Sequence, residues 1–116
     1  MKISEDSFND ITVLKMQGSF LGEPESSEFQ GIKFRLLEAK KNRIVLDLSE
    51  LKLINSSGIG TFISALVSTR HSGGDIRLSR VTGSVKEVIK NVQMDRIFKI
   101  FETVEQAADS FTQKGM

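Results

Sequence analysis

The residues Arg43-Ile44-Val45-Leu46-Asp47-Leu48 form a short, nearly unbroken apolar run between two stretches whose apolar residues recur at helical spacing. No other feature limits the fold as much. A run that does not alternate is expected of a central strand buried on both faces, and such strands belong to sheets joined by helical crossovers. The neighbouring segments should therefore be helices packed on a largely parallel sheet.

The flanks agree with this. Upstream, Gly22-Glu23-Pro24 announces a helix, because proline is tolerated in the first turn and the acids Glu23, Glu25 and Glu28 suit the helix dipole. Phe29, Ile32, Leu36 and Leu37 give that helix one apolar face through Lys41, with Lys40, Lys41 and Arg43 as its solvated basic end. Downstream, Ser49 to Ile54 reads as a turn carrying Leu51, Leu53 and Ile54 into the core. A second helix starts at Ser56 or Ser57, with Ile59, Phe62, Ile63, Leu66 and Val67 at the i, i+3, i+4, i+7, i+8 positions. It stops at Ser72-Gly73-Gly74, which makes His71 its C-terminal residue, favourable to the dipole when protonated.

The rest of the chain extends the alternation. Ile11 to Met16 is a β-branched strand closed by Gly18, and a weaker strand from Ile3 to Phe8 pairs with it through a turn at Asn9-Asp10. Ile76 to Ser79 alternates as a strand does. Ser84 and Glu87 have capping-box spacing ahead of Val85, Val88, Ile89 and Val92. Ile97 to Phe101 reads as a last short strand. Thr103 and Gln106 repeat the capping-box spacing before Val104, Ala107, Ala108 and Phe111. The expected fold is α/β in the order ββαβαβαβα: a mixed, mostly parallel sheet of about five strands with four helices and right-handed crossovers. With 116 residues, 39% hydrophobic and 27% charged, and no repeat or linker, residues 1–116 are expected to form a single domain.

Composition then narrows the function. A formal net charge of +1 gives no electrostatic case for nucleic acid. There are no cysteines and one histidine, which removes disulfides, thiolate nucleophiles and nearly all material for a metal site or for histidine acid–base catalysis. No cofactor, metal or enzymatic activity is expected. Met1 to Asp6 lacks the apolar run of a signal peptide, and no stretch reaches transmembrane length, so the expectation is a cytoplasmic protein without direct membrane insertion.

The most unusual local sequence is Asn55-Ser56-Ser57-Gly58-Ile59-Gly60, where the chain leaves the central strand and opens the second helix. Two glycines in a first helical turn cost about 0.5–1 kcal/mol each relative to alanine. They imply that a close-packing neighbour or an approaching partner needs the backbone uncrowded there. One serine, taken as Ser56, is expected to cap the helix. Ser57, one residue further in, then points outward at the positive end of the dipole, where a phosphate is tolerated. Nucleotide binding is not supported: Ile63 stands where the dinucleotide fingerprint needs its third glycine, and no Gly-Lys-Ser or Gly-Lys-Thr follows. A hydrolase is excluded because His71 should lie at the far end of the same helix from Ser57. Asp47 does not fit a response-regulator phosphoacceptor, since no acidic pair follows the first strong strand, which ends in Gln17-Gly18.

At Ile44 to Ser49, followed by Ile54 to Gly60, the chain resembles the STAS-domain family of anti-sigma factor antagonists of the sporulation and stress-response type. The resemblance runs on through Asp95 to Ala107. It implies that Ser57, the serine before the glycine, is the phosphoacceptor (alternative: Ser56). It further implies partner switching. The unphosphorylated protein binds an anti-sigma factor that is also a serine-protein kinase of the histidine-kinase-like ATPase type, phosphorylation of Ser57 releases it, and a PP2C-type phosphatase restores binding. The implied partner-binding surface comprises Asn55, Ser56, Ser57, Gly58, Ile59 and Gly60 together with Leu21 and Gly22. Two positions depart from the family pattern. Asn55 stands where the family has aspartate, and in Gly18-Ser19-Phe20-Leu21 a leucine takes the usual acidic position. Those departures add weight to one alternative, a constitutive scaffold subunit without phosphate turnover; a soluble transport-accessory protein of the same family is a further alternative.

Overall fold

A computed structural model describes residues 1–112, and the last four residues of the expected domain lie outside the described span. The elements are β1 (Lys2–Phe8), β2 (Ile11–Phe20), α1 (Glu25–Glu38), β3 (Arg43–Ile54), α2 (Ser56–His71), β4 (Asp75–Ser79), α3 (Gly83–Asn91), β5 (Ile100–Phe101) and α4 (Val104–Ser110), with a 3-10 turn at Met94–Arg96. This is the expected order. The sheet runs β1-β2-β3-β4-β5, with β1 antiparallel to β2 and all other pairs parallel. At the hairpin, Asn9 and Asp10 both take positive φ, 51° and 65°, as a tight turn matched to strand twist requires.

Because spatial order follows chain order, right-handed crossovers all advance in one direction and place α1, α2 and α3 on the same face. The main core lies there, joining Leu14, Leu46 and Leu78 from the sheet to Phe29, Phe62 and Ile89 from the three helices. A smaller core under α4, built on Ile11, Val13, Val45, Ala107 and Ala108, covers part of the opposite face. Phe20, Phe29 and Phe62 tie β2, α1 and α2 together, with ring centroids 5.1, 5.3 and 6.0 Å apart in tilted and edge-on contacts. That trio holds the β2–α1 loop against the start of α2.

Several expectations are corrected. The stretch from Ser49 to Ile54 is not a turn: β3 runs unbroken to Ile54 beside β2. The register explains the misreading. Lys15 pairs with Asp47, but Gln17 pairs with Glu50 and Ser19 with Leu53, so β3 carries two extra residues in two bulges. The bulges re-phase the strand, so that Leu48, Leu51 and Ile54 face the core at intervals of three residues, while Leu53 is 52% exposed. Gly18 does not close β2 but lies within it at φ 105°, beside the second bulge. The helix α1 ends at Glu38, and Lys40 follows in a left-handed conformation with φ 61°. On α2, Val67 is exposed and Ala65 is buried in its place. Ser84 does not cap α3; its hydroxyl donates to the carbonyl of Lys52, a bulge residue. Of the last predicted strand only Ile100 and Phe101 pair, with Phe98 buried and Ile97 exposed ahead of them.

Candidate functional site

The site grows from the junction between β3 and α2. Asn55 alone separates them, in an extended conformation with φ −118° and ψ −173°. Its Oδ1 accepts the Gly58 N–H at 3.1 Å, so Asn55 is the N-cap and the expectation for Ser56 is corrected. Its Nδ2 donates to the Leu21 carbonyl at 3.1 Å, and its backbone N–H donates to Phe20 O at 3.4 Å. An ionised aspartate would accept the capping hydrogen bond equally well but has no proton for Leu21. The two departures from the family pattern are thus joined physically: the Asn55 amide holds the backbone of Leu21.

With the cap assigned to Asn55, Ser56 and Ser57 both fall inside the first turn and both are exposed. The first-turn amides of Gly58 and Ile59 are already taken, by Asn55 Oδ1 and by Asn55 O. Those of Ser56 and Ser57 have no acceptor within the helix and stand at the positive end of the dipole. The first turn carries no acidic residue. Glu23, which arrives on the neighbouring loop, is engaged by the N–H and hydroxyl of Ser27, each at 2.8 Å.

The two glycines have different reasons. A Cβ at Gly58 would stand 2.6 Å from Phe20 O and 2.9 Å from Ile54 Cγ1, so close packing against β2 and β3 demands glycine. A Cβ at Gly60 would meet nothing within 4 Å. Its bare backbone faces outward, on the same exposed first turns as Ser57. Gly22 is set by its own backbone, at φ 128°, a conformation side chains rarely adopt. A Cβ there would stand 3.7 Å from Ser57 Cβ and 3.9 Å from Ser57 Oγ, in ordinary van der Waals contact, which makes Gly22 an immediate neighbour of the hydroxyl.

Sequence reasoning missed two residues that fix this arrangement, Ser26 on α1 and Thr61 on α2. Thr61 Oγ1 donates to the Ser57 carbonyl at 2.9 Å, and the Ser26 and Thr61 hydroxyls lie 2.9 Å apart. With the Thr61 proton directed at Ser57, Ser26 is the donor of the second bond. Ser26 N–H in turn donates to Gly22 O at 2.9 Å. A chain of hydrogen bonds therefore runs from the Ser57 backbone through α1 to the loop beside it. Leu21, which follows β2 and whose carbonyl Asn55 holds, is 49% exposed, and Leu53, two residues ahead of Asn55 in β3, is 52% exposed. Nothing in spacing distinguishes them from core leucines.

Other candidates from the sequence lie elsewhere. His71 ends α2, roughly 21 Å along the helix from Ser57. Asp47 is buried; it accepts the N–H of the bulge residue Ser49 at 3.1 Å and pairs with Arg80 at 3.5 Å, which supports the bulge. Four cavities lie elsewhere on the molecule, and Ser57 lines none of them. The site is an exposed helix end beside the exposed Leu21, an arrangement that suits a protein surface better than an enclosed small ligand.

Residues 3–107 match the model of the STAS domain. A Thermotoga maritima protein named "Putative anti-sigma factor antagonist" is 33% identical over 73 residues, a stretch covering 63% of this chain and 65% of the relative's length. The chain therefore spans somewhat less than two thirds of that relative in the matched region. The crystal structure of a Thermotoga maritima protein of the same description superposes with a TM-score of 0.85 at 27% identity, covering 96% of this chain and 95% of the other. The phosphorylated form of the Bacillus cell fate determinant SpoIIAA gives a TM-score of 0.74 at 13% identity, covering 95% and 99%, a likeness of fold. In the described residues no helix is long and apolar enough to cross a membrane. A family match over nearly the whole described chain, on a sheet and helix order that agree with it, establishes that the chain belongs to the STAS domain family.

Proposed function

We propose that this protein is a phosphorylation-controlled anti-sigma factor antagonist acting in the cytoplasm as a single domain. The observation that carries the reading is the exposed Ser57 hydroxyl, one residue inside a helix end whose cap belongs to another side chain. A modification there alters the surface and leaves the fold intact. In the unphosphorylated state the first turn of α2, with Gly60 and the exposed Leu21, docks on an anti-sigma factor that is also an ATP-dependent serine kinase. The Ser57 oxygen attacks the γ-phosphorus of ATP, the new O–P bond replaces the bond to ADP, and the hydroxyl proton passes to a base on the kinase. The product carries about −1.5 to −2 charges at the centre of a fitted apolar contact, where desolvation drives the partners apart. The free amides of Ser56 and Ser57 stabilise the phosphate within the released protein. Hydrolysis by a PP2C-type phosphatase restores the hydroxyl.

The neutral Asn55 next to Ser57 supports a second reading, a constitutive scaffold using the same surface without phosphate turnover. Calorimetric titration of Ser57→Ala and Ser57→Asp against the kinase encoded nearest this gene separates the two. Tight binding by Ser57→Ala and at least about tenfold weaker binding by Ser57→Asp is expected. Equal affinities would remove the switch and leave the scaffold.

A further inference from the structure

A cavity of about 480 Å³ lies away from Ser57, alongside the short edge strand β5. It sits at a seam. Ile89 on α3 belongs to the main core and Val81 packs against it, whereas Phe101 packs against the smaller core under α4. Because β5 is only two residues long, neither core fills the space beyond its end. The walls facing it are apolar, formed by Val81, Ile89, Ile100 and Phe101, with Ile89 2% exposed at the floor and Ile100 37% exposed at the mouth.

Charge is confined to exposed side chains around that mouth. Arg80 precedes α3, and Lys86 and Lys90 stand one turn apart on α3 itself. The two carboxylates of the lining come from outside α3, Asp95 from the 3-10 turn and Glu102 from the residue after β5. Of the three cations and two carboxylates in the lining, Lys86 and Lys90 are the two cations carried by α3. Arg80 already answers Asp47 at 3.5 Å, while no ion pair to Lys86 or Lys90 occurs among the described residues. The two carboxylates oppose a multiply charged ligand such as a nucleotide, and the volume falls in the range of small-molecule sites, roughly 300–1,000 Å³.

We infer that this cavity binds a small amphipathic monoanion, an aliphatic carboxylate whose chain enters between Ile89 and Phe101 and whose head group rests on Lys86 and Lys90. The inference is independent of the Ser57 switch. Octanoate and decanoate are suitable probes, with octylamine and octanol as controls, followed by amide chemical shifts of the whole chain. Shifts confined to residues 80–90 and 100–102 are expected, with decanoate about 15-fold tighter than octanoate, at roughly fourfold per added methylene. Lys86→Glu combined with Lys90→Glu, both at exposed positions, should weaken carboxylate binding at least tenfold and leave octanol unchanged. The inference is overturned by the absence of shifts at millimolar carboxylate, by shifts centred elsewhere, or by octylamine binding as well as octanoate. A double variant that loses octanol equally would also overturn it, because the lysines would then be acting through the fold.

Discussion

Replacing Asn55 by alanine tests how the site is held. Two side-chain hydrogen bonds disappear together, from Gly58 N–H to Oδ1 and from Nδ2 to Leu21 O, each 3.1 Å long. Loss of an N-cap costs about 1 kcal/mol in a typical helix, within a range of roughly 0.5–2. The second bond is exposed, so its net value sits at the low end of the ordinary range, about 0.5 kcal/mol. The sum is about 1.5 kcal/mol, a sizeable part of the roughly 5–15 kcal/mol that a domain of this kind has in total. At roughly 4 °C per kcal/mol for a chain of this length, thermal unfolding should move down by about 6 °C. Asn55→Asp should lose much less, since it keeps the cap and gains about 0.3–1 kcal/mol from a negative charge at the helix N-terminus while giving up the Leu21 bond. Ser56→Ala should unfold within about 0.5 kcal/mol of the parent, as surface substitutions do. Calorimetric scans of the three variants decide the matter. An unchanged melting temperature for Asn55→Ala, or a larger loss for Ser56→Ala, would refute the cap assignment and the site geometry built on it.

The two glycines of α2 should respond with opposite signs. Gly58→Ala should destabilise by about 1–3 kcal/mol, because Phe20 and Ile54 must shift to admit the methyl. Gly60→Ala should stabilise by about 0.5–1 kcal/mol, since it meets open space and removes a helical glycine. Urea midpoints would check both, and a destabilising Gly60→Ala would mean that the end of α2 is packed differently. At the sheet surface, Lys15 hydrogen-bonds Glu50 at 2.7 Å and its charge adds to the effect, holding the Glu50 carboxyl below its usual value of 4.5. A depressed folded value means stabilisation that is complete above the unfolded pKa and is lost as pH falls through the folded one. In Lys15→Met the decline in urea midpoint below about pH 4.5 should therefore be shallower, most visibly at low salt. Identical acid limbs in both proteins would show that the pair contributes nothing to folding.

Much of this fold is legible in the sequence because helical and strand periods are clean where elements are regular. The apolar spacing of α2 from Ile59 to Leu66 and the continuous run from Ile44 to Leu48 translate directly into a buried helix face and a central strand. Legibility fails where regular geometry is broken. Leu48, Leu51 and Ile54 have neither a strand nor a helix period, because two bulges insert residues between them. Ser84 has the composition of a cap, yet its hydroxyl serves a bulge carbonyl from another element. At the site, the motif locates the helix start, but Asn55 and Ser56 are both good caps, and only backbone geometry separates them. The role of Gly22 depends on a positive φ beside Ser57, and that of Ser26 and Thr61 on the packing of α1 against α2. Such tertiary relations leave no local signal.

The central claim is that Ser57 is a switch, and phosphosite mapping by mass spectrometry on the protein isolated from its own cells tests it most directly. The account predicts partial phosphate on Ser57, none on Ser56, and occupancy that changes with growth conditions. Ser57 unmodified in every condition, or phosphate confined to Ser56, would contradict it.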